Sequence, residues 1–359
     1  MKKQYFLPIL GALCLPALLA LRTPGDSLRF APAVDSEVTM EFTNSMEFFL
    51  DDFSAEAMGQ DIGAMLGDVE ANVSIDLAVA FADTFTKTAE GRPTTFQREY
   101  GDASITGEFT GSAQGESDSQ SFELESGLSG TKVRFAWDDD EGAYTKSYVD
   151  DEDGDEELLA GLEDRIDLAF ILPEGEVEAG AEWEIDPLKL AMLLVPGGDL
   201  AYDTESGDRS GMGESGDEMN DSALEAMREL MQGEVTGTYK GLNDDGLAES
   251  SIKLEIAGDK DMADLVAKAI QAAADASGED VDPSQIPEIR TFSLELSLDG
   301  EGTLLWDPRV GHVNSFTMSA ETEVALTVEM AVSQEGMQFP VTGELILGGS
   351  AEIGLEASN

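Results

Sequence analysis

Apolar residues fall on every second position over long stretches of this chain. Near the start they are Val38, Met40, Phe42, Met46, Phe48 and Leu50, then Val73, Ile75, Leu77, Val79 and Phe81, with Phe85 resuming the phase after Asp83. Phe292, Leu294, Leu296 and Leu298 repeat the pattern, and Phe316, Met318, Ala320, Thr322, Val324, Leu326, Val328 and Met330 hold it without a break. Met337, Phe339, Val341, Leu345 and Leu347 continue it. Side chains of a strand alternate between faces, so each segment predicts a strand with one apolar and one wet face. That is the signature of antiparallel strands solvated on one side. The segment from Phe316 to Met330 would reach about 50 Å at a rise of about 3.3 Å per residue, so it should bend, coil or bulge.

Turn chemistry separates these runs. Trp137-Asp138-x-x-x-Gly142 and Trp306-Asp307-x-x-x-Gly311 predict two hairpins, and Asn243-Asp244-Asp245-Gly246 a third before Ile252, Leu254 and Ile256. Helical spacing is rarer. Met262, Leu265, Val266, Ala269, Ile270 and Ala273 keep it, with Asp261 and Asp264 in the first turn. Met58, Ile62, Met65 and Leu66 make a weaker helix, costed by Gly59 and Gly63. Leu224 to Met231 is a third, and Pro187 opens a short fourth before Pro196-Gly197-Gly198. The expected fold is mainly β (α+β): a large curved antiparallel sheet or incomplete β-barrel, with a few amphipathic helices packed against it.

The chain divides on composition into residues 1–21, a signal peptide; 34–200, an N-terminal β-rich half; 201–221, an acidic Gly/Ser-rich flexible loop; and 222–359, a C-terminal β-rich half. The two halves are expected either as one domain or as two. Smaller polar loops are expected at 111–121, 150–157 and 277–288. Two strand–helix–strand passages, from Val38 through Met65 to Phe85 and from Ile252 through Ile270 to Leu298, leave a diverged internal duplication open.

Lys2 and Lys3 precede an apolar stretch from Phe6 to Leu21 that Pro8 and Pro16 interrupt, short for a membrane span and fitting a secretory leader. Ala20 and Ala33 are the candidate cleavage points. Cys14 lies inside that stretch between Leu13 and Leu15, a poor context for lipid attachment, so the exported chain is expected to hold no cysteine. The location expected is periplasmic or extracellular.

Charge sharpens the picture. Asp and Glu number 75 against 20 Lys and Arg, a net charge of −55. Such a chain repels nucleic acid and anionic lipid surfaces, and folding should gain from screening salt or divalent cations. The acids are spread along the chain, which fits solubility in a saline exterior.

The stretch Leu172-Pro173-Glu174-Gly175-Glu176-Val177-Glu178-Ala179-Gly180-Ala181-Glu182-Trp183 and the run Gly302-Thr303-Leu304-Leu305-Trp306-Asp307 resemble exported bacterial β-rich proteins of unknown function. The resemblance covers these two motifs and implies an envelope or exported β-rich protein. It carries no catalytic residues. Trp183 reads as a core anchor after a turn.

Catalytic machinery is hard to assemble here. His312 is the only histidine, and Gly213-Glu214-Ser215-Gly216 lacks the final glycine of a nucleophile elbow, since Asp217 follows. No phosphate-binding loop is present, and one histidine cannot furnish a common zinc site. Calcium is the cofactor worth testing, through the acidic loops that hold Asp138, Asp139 and Asp140 and then Asp151, Asp153 and Asp155. Neither fits an EF-hand, because Trp137 or Val149 would fall at the first ligand position. Two functions follow. One is a non-enzymatic exported protein that takes an apolar small molecule or lipid. The other is a structural or adhesive envelope protein with a cationic or calcium-bridged partner. A membrane β-barrel is a third reading of the same alternation.

Overall fold

The computed structural model describes residues 26–63, 69–89, 92–113, 116–149, 154–164, 168–191, 193–194, 196–204, 226, 228–276, 288–334 and 337–358. The alternating segments pair as one large antiparallel sheet. Its long strands are β2 (Glu37–Ala57), β4 (Glu70–Ala89), β5 (Arg92–Ala113), β14 (Glu288–Asp307), β15 (His312–Gln334) and β16 (Met337–Ser358). Around them lie β6 (Glu116–Ser126), β10 (Glu182–Glu184), β11 (Tyr202–Thr204), β12 (Gly233–Leu242) and β13 (Ala248–Asp261). The strand order is β10-β12-β13-β14-β15-β16-β2-β4-β5-β6-β11, and the path does not close. β16 lies beside β2, so both halves of the sequence share one sheet.

Smaller elements complete it. β1 (Asp26–Ser27) pairs with β9 (Glu176–Val177), and β3 (Gln60–Asp61) folds back on β2. β7 (Lys132–Asp138) and β8 (Ala143–Tyr148) form a hairpin on the first half of β5. Helices among the described residues include α1 (Glu157–Ala160), α2 (Pro187–Ala191) and α3 (Ala263–Ala276), the last packed against β14. The three expected hairpins form, with Gly142, Gly246 and Gly311 at φ of 67°, 77° and 75°. Those left-handed values are what a Cβ would oppose. Length is accommodated by bulges, among them Val79/Phe81 and Ile346/Leu347.

Two expectations need correction. Residues 111–121 are largely strand, not loop: β5 and β6 pair from Ser104↔Glu125 to Ala113↔Glu116. Backbone pairing outweighed the polar composition of an edge. The helix expected from Met58 does not start there, because Met58 and Gly59 turn left-handed (φ 54° and 73°) and send the chain back into β3. Met65 and Leu66 lie outside the described residues, as do 1–25 and most of the acidic loop after Thr204.

Over about half its length the apolar face is covered. One cross-strand row there reads Ser250, Leu304, Phe316, Leu355, Phe42, Val79 and Ala103, all buried. The cover is the chain from Leu159 to Leu200. It contributes Leu159, Leu162, Leu168, Ile171, Leu190, Leu193 and Leu200 to the same core. Its route explains how it spans the face: β10 pairs with β12 at one edge and β11 with β6 at the other, so residues 185–201 cross from edge to edge.

Candidate functional site

Among the described residues, the other half of the apolar face has no such cover apart from α3, which packs against β14. On β14, β15, β16 and β2 the cross-strand rows read Leu296–Val324–Leu347–Leu50 and Leu294–Leu326–Leu345–Phe53. Phe292–Val328–Gly343–Ala55 is the next row. All of these side chains are partly exposed, as are Leu298, Met330, Val341 and Phe48 around them. Successive β-rows of Leu, Val and Phe with no charge among them make an apolar band. It is roughly 19 Å wide, four strands at about 4.8 Å, and about 33 Å long at ten residues a strand. Single exposed apolar residues are ordinary; a contiguous patch of this size stands at the top of the range for monomers, where such patches are often functional.

The reverse of the same strands is acidic. Glu234, Glu255, Asp299 and Glu321 form one row on β12 to β15, and Glu295, Glu323, Glu329 and Glu344 lie beyond it. Among the described residues Lys253 on β13 meets this row, pairing with Glu255. Nearer the core, two rows of short side chains form a depression of about 920 Å3 that crosses from β12 to β5. Its floor is hydroxyls: Thr238, Ser251, Thr303, Thr317, Thr43 and Ser104. Glu301, Glu352, Asp76 and Lys253 stand beside them.

At the end of the covered half remote from the band, the cover is pinned by a buried ion pair. Arg98 of β5 donates two hydrogen bonds to the Asp83 carboxylate, at 2.8 and 2.9 Å. Its remaining donors reach the carbonyls of Glu163 (2.9 Å) and Asp164 (3.2 Å) in the cover. Phe81, Phe96 and Phe135 place their rings 5.2 to 5.4 Å from the guanidinium. Burial opposes the cation, but the adjacent Asp83 outweighs burial and holds the Arg98 pKa above its ordinary value. Tyr100, two residues on, is pushed up to about 12, chiefly by burial. Beside the pin, burial also raises Glu163, helped by the Asp164 charge, and lowers Lys146, whose ammonium caps the Ala160 and Leu162 carbonyls.

The acidic loops serve their own turns. Asp138 Oδ1 accepts the amides of Asp140 and Glu141, and Asp139 accepts the indole N–H of Trp137 at 3.0 Å. The Asp155 carbonyl accepts the Tyr148 hydroxyl at 2.7 Å, while Asp151 and Asp153 lie outside the described residues. Among the described residues no group of three or more His, Cys, Asp or Glu side chains is arranged to hold a metal ion. His312 is buried at the β14–β15 turn, with Nδ1 2.6 Å from the Val313 carbonyl. Trp183 donates to the Ile171 carbonyl at 2.9 Å and lies over Gly237, where a Cβ would come within 2.3 Å of the ring. Sequence reasoning singled out neither Arg98 nor Asn44, a buried amide on β2 opposite Leu77 and Ile353. The one signal for the first was Asp83, which breaks an otherwise apolar phase.

No protein family matches this chain, and no characterised protein matches it in sequence. Among solved structures it is similar to an outer membrane channel from Pseudomonas putida F1, at 9% identity over 90% of this chain and 97% of that one. The TM-score is 0.18, too low to carry an argument about fold or role.

Proposed function

We propose that this chain is an exported, non-enzymatic protein that takes an apolar, lipid-like ligand on the uncovered band of its sheet. The observation that carries this reading is the band itself, with Leu294, Leu326, Leu345 and Phe53 in one row and each partly exposed. Aliphatic side chains that a fold could have covered, as it covers the adjoining rows, are left for something else to cover. Along β15, β16 and β2 the charges keep to the reverse face, and at the β13 margin of the band Lys260, opposite Leu294, is neutralised by Glu229. The basic leader and the net charge of −55 fit a location outside the cytoplasm.

Native mass spectrometry of the protein released gently from its host tests the reading, together with titration of delipidated protein with oleate. A bound lipid-mass species, and saturable oleate binding weakened by Leu294→Asn, support it. Protein that emerges without added mass and ignores oleate refutes it.

A further inference from the structure

Resting on the reading that the band takes apolar matter, we infer that the ligand-free protein covers it with a second copy of this chain, packed sheet face to sheet face. The area is sufficient. A patch of roughly 19 by 33 Å offers about 600 Å2 of flat surface, so two copies remove about 1,200 Å2, the lower bound for a specific interface. The shape is suitable: sheets pack face to face about 10 Å apart, with side chains of alternate rows interleaved. A two-fold axis brings the same patch to both sides, and this patch complements itself because its Leu, Val and Phe rows are apolar on both copies.

Charge decides between a second copy and a bilayer. At the height of the band, the reverse face carries Glu295, Asp299, Glu321, Glu323, Glu329 and Glu344. One sheet sunk into hydrocarbon would take those carboxylates with it, at several kcal/mol each. In a face-to-face pair they all stay in water. The two acidic faces then stand more than about 10 Å apart, beyond the screening length of about 8 Å at physiological salt. Lowering the salt to about 0.01 M lengthens that range to about 30 Å and should weaken the pair.

Sedimentation of delipidated full-length mature protein tests this. The expected result is a dimer at physiological salt that loosens at low salt and separates when oleate is added. Leu326→Glu, which plants a charge on the band, should weaken the dimer more than about a hundredfold. Thr327→Glu adds the same charge on the reverse face and should leave it intact. Should Leu326→Glu not fold, spin labels at Val328→Cys and Glu329→Cys replace it, and the first pair must give the shorter distance between copies. A ligand-free protein that is monomeric overturns the inference; if that monomer binds oleate, the proposed function stands, and if it does not, both fail. A dimer that survives Leu326→Glu, or whose Val328 labels lie no closer than the Glu329 labels, also overturns it.

Discussion

Replacing Arg98 by methionine removes a cation whose side chain is 1% exposed and strands an Asp83 carboxylate that is 5% exposed. Breaking a buried pair from one side costs about 3–5 kcal/mol, because the remaining charge is uncompensated. The Glu163 and Asp164 carbonyls lose their donor as well, at about 1–3 kcal/mol for a group left unsatisfied. Water reaching the loosened cover offsets part of this, so the expected loss is about 4 kcal/mol. Methionine fills much of the space among Phe81, Phe96 and Phe135, so packing contributes little. Urea unfolding followed by circular dichroism reads the loss. The double variant Asp83→Leu/Arg98→Met should be more stable than Arg98→Met alone, since no charge is then stranded. Arg98→Lys should remain well below wild type, because an ammonium cannot serve a carboxylate and two carbonyls in one plane. A loss under about 1 kcal/mol for Arg98→Met would refute the view that this pair pins the cover.

Other outcomes follow from single residues. Asn44 is 1% exposed in the row with Leu77 and Ile353, and neither end of its amide has a partner; Asn44→Leu should stabilise by about 1–2 kcal/mol in the same urea assay. Burial raises Tyr100 to about 12 from 10.0, so between those pH values the unfolded chain has lost a proton that the folded one keeps. Stability is therefore full below pH 10 and falls as pH rises to about 12, by up to about 3 kcal/mol. Tyr100→Phe should flatten that part of the alkaline unfolding curve. Gly237→Ala would put a methyl within 2.3 Å of the Trp183 ring; it should expel the indole and red-shift tryptophan emission, and an unchanged spectrum would count against the packing described for β10.

Much of this architecture is legible in residue order because a period of two is hard to mistake over twenty positions. From Phe316 to Met330 every even residue lands on the apolar face, and the hairpins turn where Asp138, Asn243 and Asp307 say they should. The failures are local. Glu116 to Gln120 carries no apolar signal, yet it pairs as an edge strand because β5 offers an open row of backbone groups. The candidate site was legible only in part. Alternation shows that a face is apolar but not whether anything covers it. Covering depends on where residues 185–201 are led by short pairings at opposite edges, Glu182↔Thr238 and Tyr202↔Ser126, too brief to leave a periodic trace. Arg98 was hidden for the same reason: its partners in the cover are 65 and 66 positions away.

The most direct test labels neighbouring positions on opposite faces of one strand, Val328→Cys and Glu329→Cys, with a fluorophore and adds brominated oleate as a quencher. Apolar matter settling on the uncovered band must quench the label at position 328 strongly and leave the label at 329 bright. Equal quenching at both positions, or none at either, would contradict the claim that this sheet keeps one face for water and the other for an apolar partner.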